Sequence, residues 1–421
     1  MAFPELDLQS MKEWRHAIHQ FPELGFEEER TSALVAQCLN DWGYEVHTGL
    51  AETGVVGKLI VGSGVGPKLG LRAEMDALPI HEATGLPWQS QVNGKMHACG
   101  HDGHTAIMMG AAKALAQMNA EGKLPGNGVV HIIFQPAEEI GGGGGAQRMI
   151  QEGLFDLFPC DAIFALHNLP GTPVGHCFFR AGPFMCSSDK VVIRFQGKGG
   201  HGAMPELSQD PTLPLAATLM GLQTIIGRNL SPFESGVISV GRVAAGASYN
   251  IIPEQAELEL SVRALQPEIR EKLRERIESM ATHQAKAYNC SVNIEYELGY
   301  PVLVNDQTQA KLLGQAAKQT FGENHVNEQA LPLANSEDFA YMLQKVPGCY
   351  LIIGNGDNGH EHGQRLGPCS VHNPHYDFND ACLSYGAEFW LNLTKLFFSA
   401  KTLESPTKRG PHFSFISPTE E

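Results

Sequence analysis

One short segment, residues 97–104, holds four side chains that commonly bind metal ions: His97, Cys99, His101 and His104. Gly100 and Gly103 interrupt this segment, so it is not expected in the middle of a helix. Cys99 and His101 are two positions apart and would point to one face of an extended segment. A thiolate and an imidazole on one face suit zinc, with cobalt, nickel or manganese as alternatives. The pattern therefore favours a metal site over a chance cluster of histidines in a polar loop.

Carboxylates follow two predicted buried strands. The strand Lys68–Ala73 runs into Glu74 and Asp76, which would share a face if the strand continued, and a second strand runs into Glu138 and Glu139. Adjacent carboxylates cannot face the same point in an extended chain. One could therefore bind a metal ion while its neighbour faces a water molecule as a general base. The alternative for both pairs is solvated carboxylates at strand ends.

The alternation of strands and helices predicts a largely parallel sheet with helices on both faces. Ligands of such sheets bind beyond the carboxyl ends of the strands. A lone histidine at a strand end is more often structural, but His167 ends a strand that belongs to this pattern. The residues expected at this edge are Asp76, Cys99, His101, Glu138, Glu139 and His167. Later in the chain, His372 and His375 are equally possible further ligands.

The hydrophobic pattern changes near residue 185. It predicts strands over 190–196, 236–242, 255–263 and 290–297, and helices over 212–228 and 267–288. Their β-α-β-β-α-β order is ferredoxin-like. We therefore predict an α/β fold in which a metallohydrolase catalytic domain, residues 1–184 and 298–400, contains an inserted α+β domain, residues 185–297. The proline-rich tail 401–421 is expected to be disordered.

The first part of the chain has a clear predicted order. Helices are expected over 9–20 and 27–42 and from Thr105 onward, and strands over 44–48, 54–59, 68–73, 128–136 and 160–167. After residue 301, helices are expected over 307–319, 337–344 and 380–398, with a strand over 349–354.

The glycine run Gly141–Gly145 formally fits a dinucleotide-binding fingerprint that ends at Ala146. That fingerprint requires its turn directly after a strand, whereas residues 136–139 intervene here. Two carboxylates at this position would also repel a pyrophosphate, and the Lys-Ser/Thr ending of a P-loop is missing. A flexible turn that lets the backbone approach the metal site explains the glycines better.

Length and charge restrict the possible functions further. The 421 residues favour two domains, and a formal net charge of −16 argues against binding to nucleic acid or to an anionic membrane. No apolar run approaches a membrane span, and the N-terminus lacks the pattern of a secretory signal. Nine cysteines without paired spacing indicate mostly reduced thiols. These features predict a cytoplasmic protein.

Seven motifs in order resemble those of the zinc-peptidase-like aminoacylases, the amidohydrolase branch of peptidase family M20. That branch contains hippurate hydrolases, N-acetyl-diaminopimelate deacetylases and plant indole-acetyl-amino-acid hydrolases. The motifs are HQFPELG (19–25), RAEMDALP (72–79), MHACGHD (96–102), QPAEE (135–139), GGHGAMP (199–205), NIIP (250–253) and HNPHYDFND (372–380). The resemblance covers about residues 12–397. The enlarged polar segment 354–369 departs from the family pattern, and the tail has no counterpart.

The resemblance implies roles for individual residues. It assigns two divalent metal ions (zinc, manganese, cobalt or nickel) to Cys99, His101, Glu139, His167 and His372, and so chooses His372 over His375. Glu138 would be the general base, and Asp76 would lie beside the metal site. His201 would approach the reacting carbonyl, while Asn250 and Arg263 would bind the substrate carboxylate. His97 and His104 are expected to be structural or to support the ligands.

The implied reaction is metal-dependent hydrolysis of the linear amide bond of N-acyl-L-amino acids, a small-molecule substrate class. The inserted domain is expected to act as a lid and to form a homodimer or a higher homo-oligomer. Two alternatives stay open: a metal-dependent dipeptidase or aminopeptidase, which needs a free substrate amine, and a non-catalytic amino-acid or peptide-binding protein on the same scaffold. Neither the acyl group nor the amino acid can be read from the sequence.

Overall fold

The computed structural model describes residues 4–356 and 369–399. Its helices are α1 Leu8–Gln20, α2 Glu29–Asp41, α3 His101–Ala120, α4 Gly144–Gln151, α5 Leu154–Leu157, α6 Thr212–Asn229, α7 Pro267–Ala287, α8 Gln307–Phe321, α9 Phe339–Leu343 and α10 Cys382–Ser399. Two predictions concern segments that lie wholly or mostly outside these ranges: the tail 401–421 and the polar segment 354–369. Among the described residues, no helix combines the length and the apolar character needed to cross a membrane.

The strands of the described residues fall into two main sheets and two short pairs. They are β1 Glu45–Leu50, β2 Gly54–Val61, β3 Lys68–Glu74, β4 Gly128–Gln135, β5 Ala162–Leu169, β6 Cys177–Phe178, β7 Gly182–Met185, β8 Asp189–Gln196, β9 Gly200–His201, β10 Gly236–Ala245, β11 Ile251–Ile252, β12 Gln255–Ala264, β13 Ser291–Leu298, β14 Leu303–Asn305, β15 Val326–Asn327 and β16 Gly348–Gly354. Most predicted elements appear within a few residues of their expected bounds.

The larger sheet has the order β1-β2-β4-β3-β5-β16-β6-β15. Its central strands β4, β3, β5 and β16 are parallel, and β1 and β2 run antiparallel to their neighbours. Alternate residues of β5 face two different cores. Phe164 and Leu166 face a core that includes α3 and α10, and Ile163 and Ala165 face a core that includes α4 and α9. Helices therefore cover both faces, which confirms the predicted α/β class with a mostly parallel, mixed sheet.

The smaller sheet is antiparallel, with the order β10-β12-β8-β13. With α6 and α7 it has the predicted β-α-β-β-α-β order, and it surrounds its own core, which contains Val191, Ile193 and Phe195. Charged side chains occupy the other face of the sheet, where Arg194 pairs with Glu257 and Glu295. We call residues 189–298 the second unit, and the part built on the larger sheet the first unit.

The structure corrects the expected path of the ligand-bearing segment. Helix α3 begins at His101 rather than at Thr105, and Gly100 precedes it with a left-handed backbone, φ +95°. Cys99 and His101 therefore do not lie in an extended segment, because a turn brings them together. Gly100 makes this turn possible, because a glycine adopts a left-handed backbone at little cost and the helix can then begin at the next residue.

A second correction concerns the two carboxylates after β3. This strand ends at Glu74, so Glu74 and Asp76 do not share a strand face. Both are buried, which excludes the alternative of a solvated strand end. Glu74 pairs with Arg72 and His104, whereas Asp76 turns toward the helix that begins at His101. The two residues consequently serve different parts of the site.

We predict that Gly100→Ala destabilises the protein more than Gly94→Ala does. Both glycines have a positive φ, which costs an alanine about 1–2 kcal/mol. A Cβ atom on Gly100 would also lie 2.3 Å from Asn168 Oδ1, whereas a Cβ atom on Gly94 meets nothing within 4 Å. Crowding of this kind costs about 1–3 kcal/mol more. The measurement is the urea midpoint of each variant, and equal shifts for the two would contradict the prediction.

Candidate metal centre

Potential ligand atoms converge where the central strands of the larger sheet end. Among the described residues, five groups of potential ligands each have all their ligand atoms within 4.8 Å of one another. Two of them are Glu74, His101 and His104, and Glu138, Glu337 and Asp338. The other three contain at least two of the ligands expected from the resemblance: Cys99, His101 and His167; Cys99, Glu139 and His372; and His101, Glu138 and Glu139. Cys99 Sγ lies 3.2 Å from His167 Nε2, and His372 Nε2 lies 3.0 Å from Glu139 Oε1. The five ligands expected from the resemblance thus lie together. Because these three groups share Cys99, His101 and Glu139, the donor set suits two divalent ions.

The five expected ligands come from separate elements of the first unit. Cys99 and His101 lie at the start of α3, Glu139 follows β4, and His167 lies near the end of β5. His372 arrives from the segment before α10, with φ +61°, and its N–H donates to Ala98 O at 2.7 Å. The parallel strand ends thus collect ligands from distant parts of the chain, as expected for an α/β sheet.

The chemistry of these residues fits a bound cation. His101 Nδ1 lies 3.1 Å from Asp76 Oδ1, while His101 Nε2 is buried without a hydrogen-bond partner. An imidazole held by a carboxylate through one nitrogen, with the other nitrogen free, is the usual arrangement of a metal-binding histidine. Burial, together with Glu139 and Glu138, raises the pKa of the Cys99 thiol well above its usual value. A thiolate at this position therefore requires a positive charge beside it.

The two adjacent glutamates have different further neighbours, although both lie within 4.8 Å of His101. Glu139 approaches His372, whereas Glu138 lies close to Glu337 and Asp338. Burial raises the pKa of Glu138 well above its usual range, and the nearby carboxylates of Glu337 and Glu139 add to this shift. This environment favours a carboxyl group that accepts a proton readily.

Three carboxylates hold the backbone of the turn that carries these glutamates, residues 136–146. Ala137 N donates to Glu28 at 2.8 Å, Glu139 N to Asp76 at 2.8 Å, and Ala146 N to Asp338 at 2.9 Å. Burial, with the charge of Asp76, raises the pKa of Glu28 to about 7. We call this segment the glutamate turn.

The glycines of the glutamate turn allow its backbone to pack closely. A Cβ atom on Gly145 would lie 1.8 Å from the carbonyl oxygen of Pro136, so α4 begins directly against the start of the turn. Gly141 to Gly144 all have a positive φ. The turn therefore folds back on itself. The expectation that these glycines let the backbone approach the metal site stays a prediction.

A buried arginine that the sequence analysis did not single out supports the site. Arg72 is fully buried and pairs with Glu74, Glu337 and Asp338. Gln135 also contacts Asp338, at 2.8 Å. An arginine within an otherwise apolar strand is the signal that could have identified this network, because such a residue is buried only with partners.

A second network joins the first, third and last motifs. His19 Nδ1 lies 2.8 Å from Asp102, which follows His101 directly, and Arg15 pairs with both Asp102 and Asp377. His19, Arg15 and Asp102 are buried. These motifs, distant in sequence, therefore hold the first turn of α3 in place.

The remaining histidines of the ligand segment, His97 and His104, are both buried, but only His104 has hydrogen-bond partners for its ring nitrogens. His104 Nδ1 lies 3.0 Å from Glu74 Oε2, and its Nε2 lies 2.8 Å from Asn168 Oδ1. Both ring nitrogens of His104 are thus occupied within the protein. His97 is buried, and its ring lies 6.2 Å from that of His19.

Three predicted residues lie on the second unit. His201 is exposed on β9, and its Nδ1 accepts a hydrogen bond from Ala203 N. Asn250 is also exposed and bonds to Ser248 at 2.7 Å. Neither residue belongs to the ligand groups found among the described residues.

Arg263, on β12, is half-buried and donates to Ser336 Oγ at 3.1 Å. It therefore contacts the segment that leads to Glu337. The role of Arg263 in substrate binding stays a prediction.

Comparison with known proteins points to one family. The profile of Peptidase family M20/M25/M40 matches residues 70–395. Hippurate hydrolase of Campylobacter jejuni subsp. jejuni is 40% identical over 92% of this chain and 97% of that protein. N-acetyl-L-cysteine deacetylase of Bacillus subtilis is 37% identical over 83% of this chain and 81% of that protein.

A solved structure from Bacillus subtilis, described as a dinuclear metal-binding peptidase of the M20 family, is also similar. Its TM-score is 0.79 at 31% identity, over 94% of this chain and 99% of that one. The similarity extends over both units of the chain. Two metal ions in that relative agree with the shared ligand groups found here.

We predict that Cys99→Ala lowers the metal content of the purified protein, because Cys99 belongs to two of the candidate groups and supplies their only sulfur atom. Cys160→Ala is the matched control, since Cys160 Sγ also lies near an imidazole, 3.6 Å from His131 Nδ1, but outside the centre. Metal content is measured by elemental analysis after dialysis. Unchanged metal in Cys99→Ala, or equal loss in both variants, would contradict the assignment.

Proposed function

We propose that this chain, which belongs to peptidase family M20/M25/M40, is a metal-dependent amidohydrolase that cleaves the amide bond of N-acyl-L-amino acids. The products would be a free amino acid and a carboxylic acid. The observation that carries the proposal is the placement of Glu138 beside a donor set for two ions, with Glu139 directed into that set. The named relatives act on hippurate and on N-acetyl-L-cysteine, which are both N-acyl amino acids.

The five ligands Cys99, His101, Glu139, His167 and His372 would hold the ions. When bound, the ions supply Lewis-acid polarisation of the amide carbonyl and lower the pKa of water. Glu138 takes a proton from the attacking water and passes it to the nitrogen of the leaving amine. Asp76 holds His101 in orientation through Nδ1 and also accepts from Glu139 N, so it positions a ligand on each side.

The second unit supplies the substrate contacts in this proposal. His201 donates to the developing oxyanion, and losing such a donor costs about 10²–10³ in rate. Asn250 and Arg263 bind the substrate carboxylate. Because His201 and Asn250 are exposed on the second unit, these roles require that unit, of this chain or of a second copy, to approach the metal centre.

The metals are zinc, manganese, cobalt or nickel in this proposal, and the protein acts on linear amides. We further propose that residues 185–297 form the lid and dimerisation domain, inserted into a catalytic domain of residues 1–184 and 298–400. The cytoplasmic location stays a prediction of the sequence.

We predict that the protein is a homodimer in solution. Large apolar side chains are exposed on the second unit, and they include Leu213, Met220, Phe233, Val237, Val243 and Ile251. Strand β10, which carries Val237 and Val243, is an edge strand of its sheet and can pair with another copy. Sedimentation equilibrium checks this prediction. A dimer that persists after Val237→Glu and Val243→Glu are combined would show that a different surface is used.

We predict metal-dependent release of free amino acid from at least one blocked substrate. The panel is benzoyl-glycine, N-acetyl-methionine and N-acetyl-diaminopimelate, each assayed with Mn²⁺, Co²⁺ or Zn²⁺ and with a chelator control. Unblocked dipeptides form the comparison arm, because an aminopeptidase or a dipeptidase needs a free amine. Release from dipeptides alone would favour the peptidase alternative.

The variant Glu138→Gln separates catalysis from binding within the same assay. We expect it to keep its metal content and lose turnover, since the amide cannot accept the proton. Full activity in this variant would remove Glu138 from the role of base. If the wild-type protein binds metal and releases no amino acid from any substrate, the non-catalytic binding alternative becomes the better account.

A further inference from the structure

Two short segments connect the second unit to the first: residues 186–188 on entry and residues 299–300 on return. Ser188 N donates to Tyr300 O at 3.0 Å, which joins the two segments. Gly299 is held to the second unit, because its N–H donates to Asp189 Oδ1 at 3.1 Å and its carbonyl accepts from Arg270 Nη2 at 2.9 Å. We call these two segments the joint.

The side chain of Tyr300 leaves the joint and enters the first unit. It is 6% exposed. Its hydroxyl donates to the carbonyl oxygen of Glu138 and accepts from Gly141 N at 2.9 Å. A phenol hydroxyl donates one hydrogen bond through its O–H and accepts through its oxygen, so both hydrogen bonds form at the same time. One residue therefore contacts the joint through its backbone and the glutamate turn through its side chain.

The glutamate turn depends on such contacts. Its residues Ala137 and Gly141–Gly144 all have a positive φ, so neither a helix nor a strand ladder orders the backbone around Glu138. Glu28 and Asp76 hold the turn at Ala137 and Glu139. Tyr300 contacts the carbonyl between these two points and the amide beyond them. Tyr300 thus links the glutamate turn to the joint.

We propose that Tyr300 is a positioning residue that fixes the backbone of Glu138 and ties the glutamate turn to the joint between the two units. The inference rests on the proposed function, in which Glu138 is the base. The Glu138 carbonyl belongs to the peptide bond that joins Glu138 to Glu139, but Asp76 still holds the N–H of Glu139, and the other four proposed ligands lie outside the glutamate turn. The contact should therefore affect the catalytic step more than the binding of substrate or metal.

The test is Tyr300→Phe, with Tyr341→Phe as the matched control. Tyr341 stacks edge-on against Tyr300, with ring centroids 6.3 Å apart, and its hydroxyl donates to Gly299 O at 3.1 Å. The control therefore removes a neighbouring phenol hydroxyl that contacts the joint but not the glutamate turn. For Tyr300→Phe we expect kcat to fall by about 10- to 100-fold, with KM within about threefold and metal content unchanged. Tyr341→Phe should keep kcat within about threefold of the wild-type value.

A second measurement does not depend on turnover. Hydrogen exchange of a peptide that covers residues 138–145 should speed up in Tyr300→Phe, because Gly141 N–H loses its acceptor. The same peptide in Tyr341→Phe should exchange as in the wild type. If the wild-type protein turns over no substrate, the proposed function fails. The exchange result still tests whether Tyr300 holds the glutamate turn. Unchanged exchange in Tyr300→Phe, or equal effects of both variants on kcat, would overturn the inference.

Discussion

Arg72 is completely buried with three carboxylates around its guanidinium, and the metal centre depends on this arrangement. Removing one partner of such a buried cluster leaves uncompensated charge, at a cost of about 3–5 kcal/mol. Each carboxylate also binds a second group. Glu74 contacts His104, Asp338 accepts from the backbone of the glutamate turn, and Glu337 accepts from Tyr350 at 2.6 Å. Arg72 thus holds one of the three carboxylates that bind the backbone of the glutamate turn.

The centre has more buried carboxylates than cationic side chains nearby, and this excess of negative charge determines its chemistry. Glu138 and Glu139 lie near Cys99, whose thiol has a raised pKa because of burial and these neighbouring carboxylates. Arg72 and the histidines offset the negative charge of the carboxylates that lie farther from Cys99. The region where Cys99 and Glu139 meet is suited to divalent cations. This explains why sulfur, nitrogen and oxygen donors lie together at one edge of the sheet.

The two units contribute to the site in different ways. The first unit holds all five proposed ligands and the proposed base, whereas the second unit carries His201 and Asn250 on exposed surfaces. Catalysis by both sets requires the units to be placed correctly relative to each other. The joint carries the chain between the two units, and through Tyr300 it contacts the backbone of Glu138.

Periodicity and short motifs are local, and they were sufficient to predict the α/β class, the ferredoxin-like order of the second unit and a set of side chains that lie together as candidate metal ligands. Long-range packing determines that His101 starts α3, that Glu74 and Asp76 separate, and how the base is held. Arg72 meets Glu337 across 265 positions, and no local pattern specifies such a pairing. A buried charge shows that partners must exist, but only the packing of distant elements selects them.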